Sequence, residues 1–139
     1  MRGLLALLGL IMAGAGEARA RAVDDATFCT TLRRLLAAAN ERPAFASLGR
    51  SGPARAAAGL GFDRCRIEAA LHGNRLVCLR QAPGPAPQAR IARCVPEALR
   101  MMQPRNSATA RFRLGTLAFH VEPGRETIVF RLFALPVER

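Results

Sequence analysis

Four cysteines and two histidines are the residues of this chain best equipped for chemistry. Cys29, Cys65, Cys78 and Cys94 are separated by 36, 13 and 16 residues. A thiolate metal site or a dithiol redox centre needs close pairs such as C-x-x-C, which bring two sulfurs to one metal or to each other. None of these spacings does so, and no metal and no cofactor is expected. In an oxidising compartment, four cysteines in a short chain form a disulfide framework instead, with three connectivities open to them.

Of the histidines, His72 falls at a turn and reads as a solvated loop residue. His120 sits between Phe119 and Val121, with Glu122 two residues on. A catalytic reading would pair His120 with Glu122 and recruit Thr116 or Thr127 as nucleophile. The chain carries no G-x-S-x-G elbow or oxyanion loop to serve such a set, so no catalytic residue is assigned. The Gly59-Leu60-Gly61 stretch lacks the full glycine spacing and the strand-turn-helix setting of a dinucleotide site.

The N-terminus sets the compartment. Met1-Arg2 is followed by the apolar run Leu4 to Met12 and small residues, and Ala18-Arg19-Ala20 has the small-x-small form cut by signal peptidase. The uncharged stretch from Gly3 to Gly16 holds 14 residues, short of the roughly 20 that a membrane helix requires. The expectation is a signal peptide over 1–20, export to the bacterial periplasm or beyond, and a single domain over 21–139 with no transmembrane segment.

Charge narrows the partners. The chain is +11 at pH 7, with 21 basic residues that are all arginine. Arginine suits bidentate contact with carboxylates and phosphates. These arginines are scattered, with Arg33-Arg34 the sole adjacent pair, and the chain has neither Trp nor Tyr to stack on bases. Nucleic acid is therefore disfavoured, and a compositional bias toward Arg, Ala, Gly and Pro accounts for the excess.

The positioning elements follow from periodicity. Phe28, Leu32, Leu35, Leu36 and Ala39 repeat at helical spacing, predicting a helix over 24–40 capped by Asp24 or Asp25 and stopped at Asn40. Phe45 to Leu48 could form a short strand, and 49–61 reads as loop. Cys65, Ile67, Ala69 and Leu71 alternate on one strand face. Gly73-Asn74 supplies a two-residue turn that would set Leu71 against Leu76 and Ala69 against Cys78. In that register Cys65 lies about four residues, roughly 13 Å, past the position facing Cys78. A disulfide needs Cα atoms within roughly 7 Å, so Cys65–Cys78 is excluded, and Cys29–Cys94 with it. The expected pairing is Cys29–Cys65 with Cys78–Cys94, each tying the sheet to a helix.

A second helical region spans 86–102, interrupted at Pro96. Residues 111–122 and 125–135 form a hairpin about Pro123-Gly124, with Glu122 expected opposite Arg125. One face holds Leu117, Phe119, Val121, Ile128, Phe130, Leu132 and Ala134. The reverse face mixes His120, Thr127 and Arg131 with Phe112, Leu114, Val129 and Phe133. The fold class is α+β, in the order α-β-β-β-α-β-β, with an antiparallel sheet, helices on one face, and disulfide staples. This order is loosely similar to that of the small α/β chaperones of type III secretion, a likeness of architecture alone.

The reverse face exceeds the apolar content of a solvated one. Phe112, Leu114, Val129 and Phe133, rimmed by Arg111, Arg113 and Arg131, form a candidate surface for a protein partner or homodimer, unless a loop such as 49–61 covers them. The functional expectation is a non-enzymatic binding or adaptor domain recognising another protein in the periplasm or envelope. Two alternatives are a small hydrolase using His120 and a cationic factor acting at anionic envelope surfaces.

Overall fold

The computed structural model describes residues 23–49, 52–81, 87–102 and 108–136. The segment expected as a signal peptide lies outside them. The described chain is α+β: helices and a six-stranded, wholly antiparallel sheet, stapled by two disulfides.

Helix α1 spans Asp25–Ala39. The Asp24 carboxylate accepts from the Thr27 N–H at 2.7 Å, satisfying one of the free donors of the first turn. Asn40 closes the other end, its N–H reaching the Ala37 and Ala38 carbonyls. Phe28, Leu32, Leu35 and Leu36 are buried along one stripe, as their spacing predicts. The segment expected as a strand at Phe45–Leu48 is instead a 3₁₀ turn over Ala46–Gly49. Phe45 takes a positive φ of 64°, and its ring is buried in the core.

The short helix α2 (Pro53–Ala56) and a second 3₁₀ turn (Ala58–Leu60) follow and pack against α1 and the first strand. Here the G-L-G stretch finds a structural use. A Cβ on Gly59 would overlap the Thr31 hydroxyl and come within 2.9 Å of Thr31 Cβ, so the close approach of this turn to α1 requires glycine.

The strands are β1 (Arg64–Glu68), β2 (Arg75–Gln81), β3 (Leu99–Arg100), β4 (Ala110–Leu114), β5 (Leu117–Pro123) and β6 (Thr127–Ala134), arranged β1-β2-β6-β5-β4-β3. Helix α3 (Gln88–Cys94) lies between β2 and β3 in the chain. The helical region expected over 86–102 therefore stops before Pro96, which lacks the N–H that a further turn would use. Leu99 and Arg100 join the sheet edge.

One core unites the helices with one face of the sheet: Phe28, Leu32 and Leu35 belong to the same buried cluster as Leu76, Phe119, Val121, Ile128, Phe130 and Leu132. The dry face expected of β5 and β6 is thus observed residue for residue, but their turn is Arg125-Glu126 and not Pro123-Gly124. Pro123 pairs with Ile128, Glu122 faces Val129 rather than Arg125, and the Gly124 N–H donates to the Thr127 carbonyl at 2.7 Å. The slip is four residues, an even number, so each side chain keeps its face.

Two further registers differ from expectation. Ala70 and Gly73 exchange both backbone hydrogen bonds, at 3.2 and 3.1 Å, so the β1–β2 turn is Leu71-His72 and not Gly73-Asn74. Leu71 is 92 % exposed at its tip. Cys65 then lies directly opposite Cys78. Counting from the Ala70–Gly73 pair, this is a non-hydrogen-bonded pair, the narrow kind in which Cα atoms approach within about 4.5 Å. The observed Cα separation is 4.1 Å, and the two cysteines are bonded. The remaining two follow suit: Cys29 in α1 bonds Cys94 at the end of α3, with Cα atoms 5.1 Å apart. The pairing expected from sequence, Cys29–Cys65 with Cys78–Cys94, is therefore corrected. Each bond lies within a layer, one inside the sheet and one between helices. Apolar packing holds the layers together.

The second register concerns 111–122, expected as one strand. It reverses at Gly115-Thr116, where Gly115 has φ 58°, giving the separate β4 and β5. A reversal after Leu114 changes the parity of everything before it. Phe112 pairs with Phe119, their rings stacked at 5.1 Å, and Leu114 pairs with Leu117. Phe112 is buried and Leu114 packs against the core, so both leave the candidate partner surface.

Candidate functional site

The opposite face of the sheet is built by the alternate residues of the same strands. Pairing across the strands sets Arg66, Val77, Arg131, His120 and Arg111 in one row. A second row runs Glu68, Arg75, Phe133, Ala118, Arg113 and Leu99, and a third Arg64, Leu79, Val129 and Glu122. Val77 and Ala118 are only 4 % and 5 % exposed, yet neither belongs to the helix-side core. They form a thin apolar floor that neighbouring arginine stems can cover. The described part of 49–61 packs against α1 and β1 and does not cap this face. Of the residues expected at a partner surface, Val129, Phe133, Arg111, Arg113 and Arg131 are gathered here, while Phe112 and Leu114 are in the core.

The arginines scattered along the sequence are not scattered in space. Arg64, Arg66, Arg75, Arg111, Arg113 and Arg131 share this one face with two carboxylates, Glu68 and Glu122. Strand alternation does this: an arginine at every second position of adjacent strands becomes a field. The dispersion that argued for compositional bias alone therefore does not hold in three dimensions.

Glu68 accepts from Arg66 and Arg75, each Nε donating at 2.8 Å. These two guanidinium groups hold its carboxyl below the usual value of 4.5. Arg131 meets Glu122 at 2.7 Å. Among the described residues, Arg64 and Arg111 make no ion pair, and Arg113 donates to the Gly115 carbonyl at 3.2 Å. Helix-side arginines are used differently. Arg33 spans to Glu97 at 2.9 Å and to the Cys94 carbonyl at 2.8 Å, and Arg90 reaches Asp25 at 3.1 Å, reinforcing the α1–α3 contact beside the disulfide.

His120 is half-buried, its ring standing edge-on to Phe133 with centroids 5.0 Å apart. Burial lowers its pKa from the ordinary 6.5, and Arg111 and Arg131 lower it further against the opposing pull of Glu122. The hydrolase constellation is not assembled. Glu122 is engaged by Arg131, and Thr116 lies in the turn before β5, four residues from His120, about 13 Å at strand rise. Thr127 lies equally far along β6 from Arg131, the residue facing His120. Among the described residues, no three His, Cys, Asp or Glu side chains converge as metal ligands would.

A shallow cleft of about 310 Å³ adjoins the face where the β1–β2 turn meets the end of β6. Its lining includes Leu71, His72, Arg75, Phe133 and Pro136. Sequence reasoning missed it, because the misplaced turn put Leu71 in the core.

No protein-family model, curated protein or solved structure matches this chain. The loose likeness to secretion chaperones therefore carries no functional argument. Two disulfides fit an oxidising compartment. Among the described residues, no helix is long and apolar enough to cross a membrane.

Proposed function

We propose that this chain is an exported, non-enzymatic binding domain that recognises another protein in the bacterial periplasm or cell envelope. The N-terminal apolar run with its Ala18-Arg19-Ala20 site supports export, and the disulfides agree with it. The observation that carries the binding reading is the outer sheet face, where Val129, Phe133 and Leu79 lie among arginines and no described element packs over them. Protein interfaces favour aromatic residues and arginine in this combination. A flat sheet face also presents them without the ordering cost of a mobile loop.

The test is capture from periplasmic extract using the oxidised 21–139 protein, with Phe133→Ser as comparison. A partner retained by the wild type and lost by the folded variant supports the reading. Capture that ignores the substitution, or no capture at all, refutes it. The second reading, a cationic factor at anionic envelope surfaces, gains from the clustering of six arginines on one face. Retention on phosphatidylglycerol vesicles that falls with added salt would favour it.

A further inference from the structure

We infer that the outer sheet face recognises a protein surface bearing carboxylates around an apolar side chain, an inference that rests on the reading of this face as the binding surface. Charge complementarity comes first. Six arginines face two glutamates, and both glutamates are already engaged, by Arg66 and Arg75 and by Arg131. Arg64, Arg111 and Arg113 have no carboxylate among the described residues. Arg111 and Arg131 flank His120 on adjacent strands, so their backbones stand about 10 Å apart at the usual strand spacing. Phe133 lies diagonally between them and the cleft. The cleft supplies the second element: an apolar pocket lined by Leu71, Phe133 and Pro136, with Arg75 beside it. An apolar side chain seated there would bring neighbouring carboxylates onto Arg111 and Arg113. Arginine binds carboxylates bidentately, which gives such a contact direction as well as charge.

The same features argue against other occupants. A second copy docking face to face would oppose two positive fields, and like charges across an interface disfavour association. A phosphate backbone asks for a continuous run of free cations, whereas here Arg64 on β1 is separated from Arg111 and Arg113 on β4 by the three intervening strands, which carry Leu79, Val129 and Phe133. The edge-on His120 occupies part of the Phe133 ring that a base would need for stacking.

The experiment measures fluorescence anisotropy of a short labelled peptide alternating glutamate with leucine, added to the oxidised protein at low and physiological salt. Binding that weakens with salt is expected. The Arg111→Gln/Arg113→Gln variant should weaken it about tenfold, as expected of two charged contacts at a partly desolvated surface. Phe133→Ser should weaken it comparably while thermal melting shows the fold intact. Arg34→Gln/Arg55→Gln removes the same charge from exposed helical positions and should leave affinity within about twofold, since screened charges at that distance contribute little. Equal loss in both double variants overturns the inference. So does equal binding of a lysine–leucine peptide, failure of the glutamate peptide to bind, or dimerisation through this face. Binding to phosphatidylglycerol vesicles that the peptide does not displace overturns it as well. If extract capture depends on Phe133 while the peptide result fails, the binding face stands and only the acidic partner falls.

Discussion

The disulfide connectivity predicts unequal costs for removing the two bonds. Cys29–Cys94 closes a separation of 65 residues and Cys65–Cys78 one of 13. With loop-closure entropy of the unfolded chain as the source, the long link contributes about 4.3 kcal/mol and the short one about 2.9 kcal/mol. The perturbation is a pair of double variants, Cys29→Ala/Cys94→Ala and Cys65→Ala/Cys78→Ala. Each pair joins one buried cysteine to one partly buried cysteine, so packing losses are similar and the difference of about 1.4 kcal/mol reflects loop length. Urea unfolding with thiol titration is the assay. At slopes of about 1–3 kcal/mol/M, the two midpoints should differ by about 0.5–1.4 M, the Cys29/Cys94 variant unfolding first. Neither variant should show a free thiol, because the other bond survives. Crossed connectivity would behave otherwise: each double variant would break both bonds, expose two thiols and destabilise equally. That result would refute the register on which the whole sheet description rests.

The two phenylalanines expected on one surface should separate cleanly. Phe112→Ala removes a buried stacked ring and should cost about 3–5 kcal/mol, whereas Phe133→Ser, on the half-exposed outer face, should cost less than about 2 kcal/mol; similar losses in chemical denaturation would mean the β4 reversal is misplaced. The His120 imidazole, followed by proton NMR, should titrate below 6.5. Its folded state then disfavours the proton, so stability is full above 6.5 and declines as pH falls from there to the folded value, a slope that His120→Gln should abolish. Titration at or above 6.5 would show that Glu122 outweighs burial and the flanking arginines.

Helix α1, its caps, the inward face of β5 and β6 and the α+β class were all legible in the chain. Each is written in contiguous periodicity: Phe28 to Ala39 repeat on one helical stripe, and Leu117 to Val121 and Ile128 to Ala134 alternate on strands whose faces survive the four-residue slip of their turn from Pro123-Gly124 to Arg125-Glu126. The two helical cysteines were legible as disulfide partners in number but not in choice. Alternation could not decide it, because moving the β1–β2 turn from Gly73-Asn74 to Leu71-His72 slips the register by an even number of residues and leaves the side chains of the paired strands on their faces, Leu71 at the turn excepted. Asn74, the residue that favoured the first turn, instead donates from its side chain to the Ala44 carbonyl at 3.2 Å, a contact with a segment 30 residues away.

Composition, the cysteine spacings and hydrophobic period are properties of the chain alone, and they determined the fold class, the cysteines' structural role and the inward faces of α1, β5 and β6. Tertiary structure decided which cysteine meets which, because that depends on strand register and helix contact rather than spacing. It also decided that Phe112 and Leu114 enter the core, since the single reversal at Gly115-Thr116 inverts the parity of the strand before it. The gathering of six arginines on one face was decided there too. A sheet brings together in space, about 4.8 Å apart, residues that the chain keeps tens of positions apart, and only the order of its strands says which.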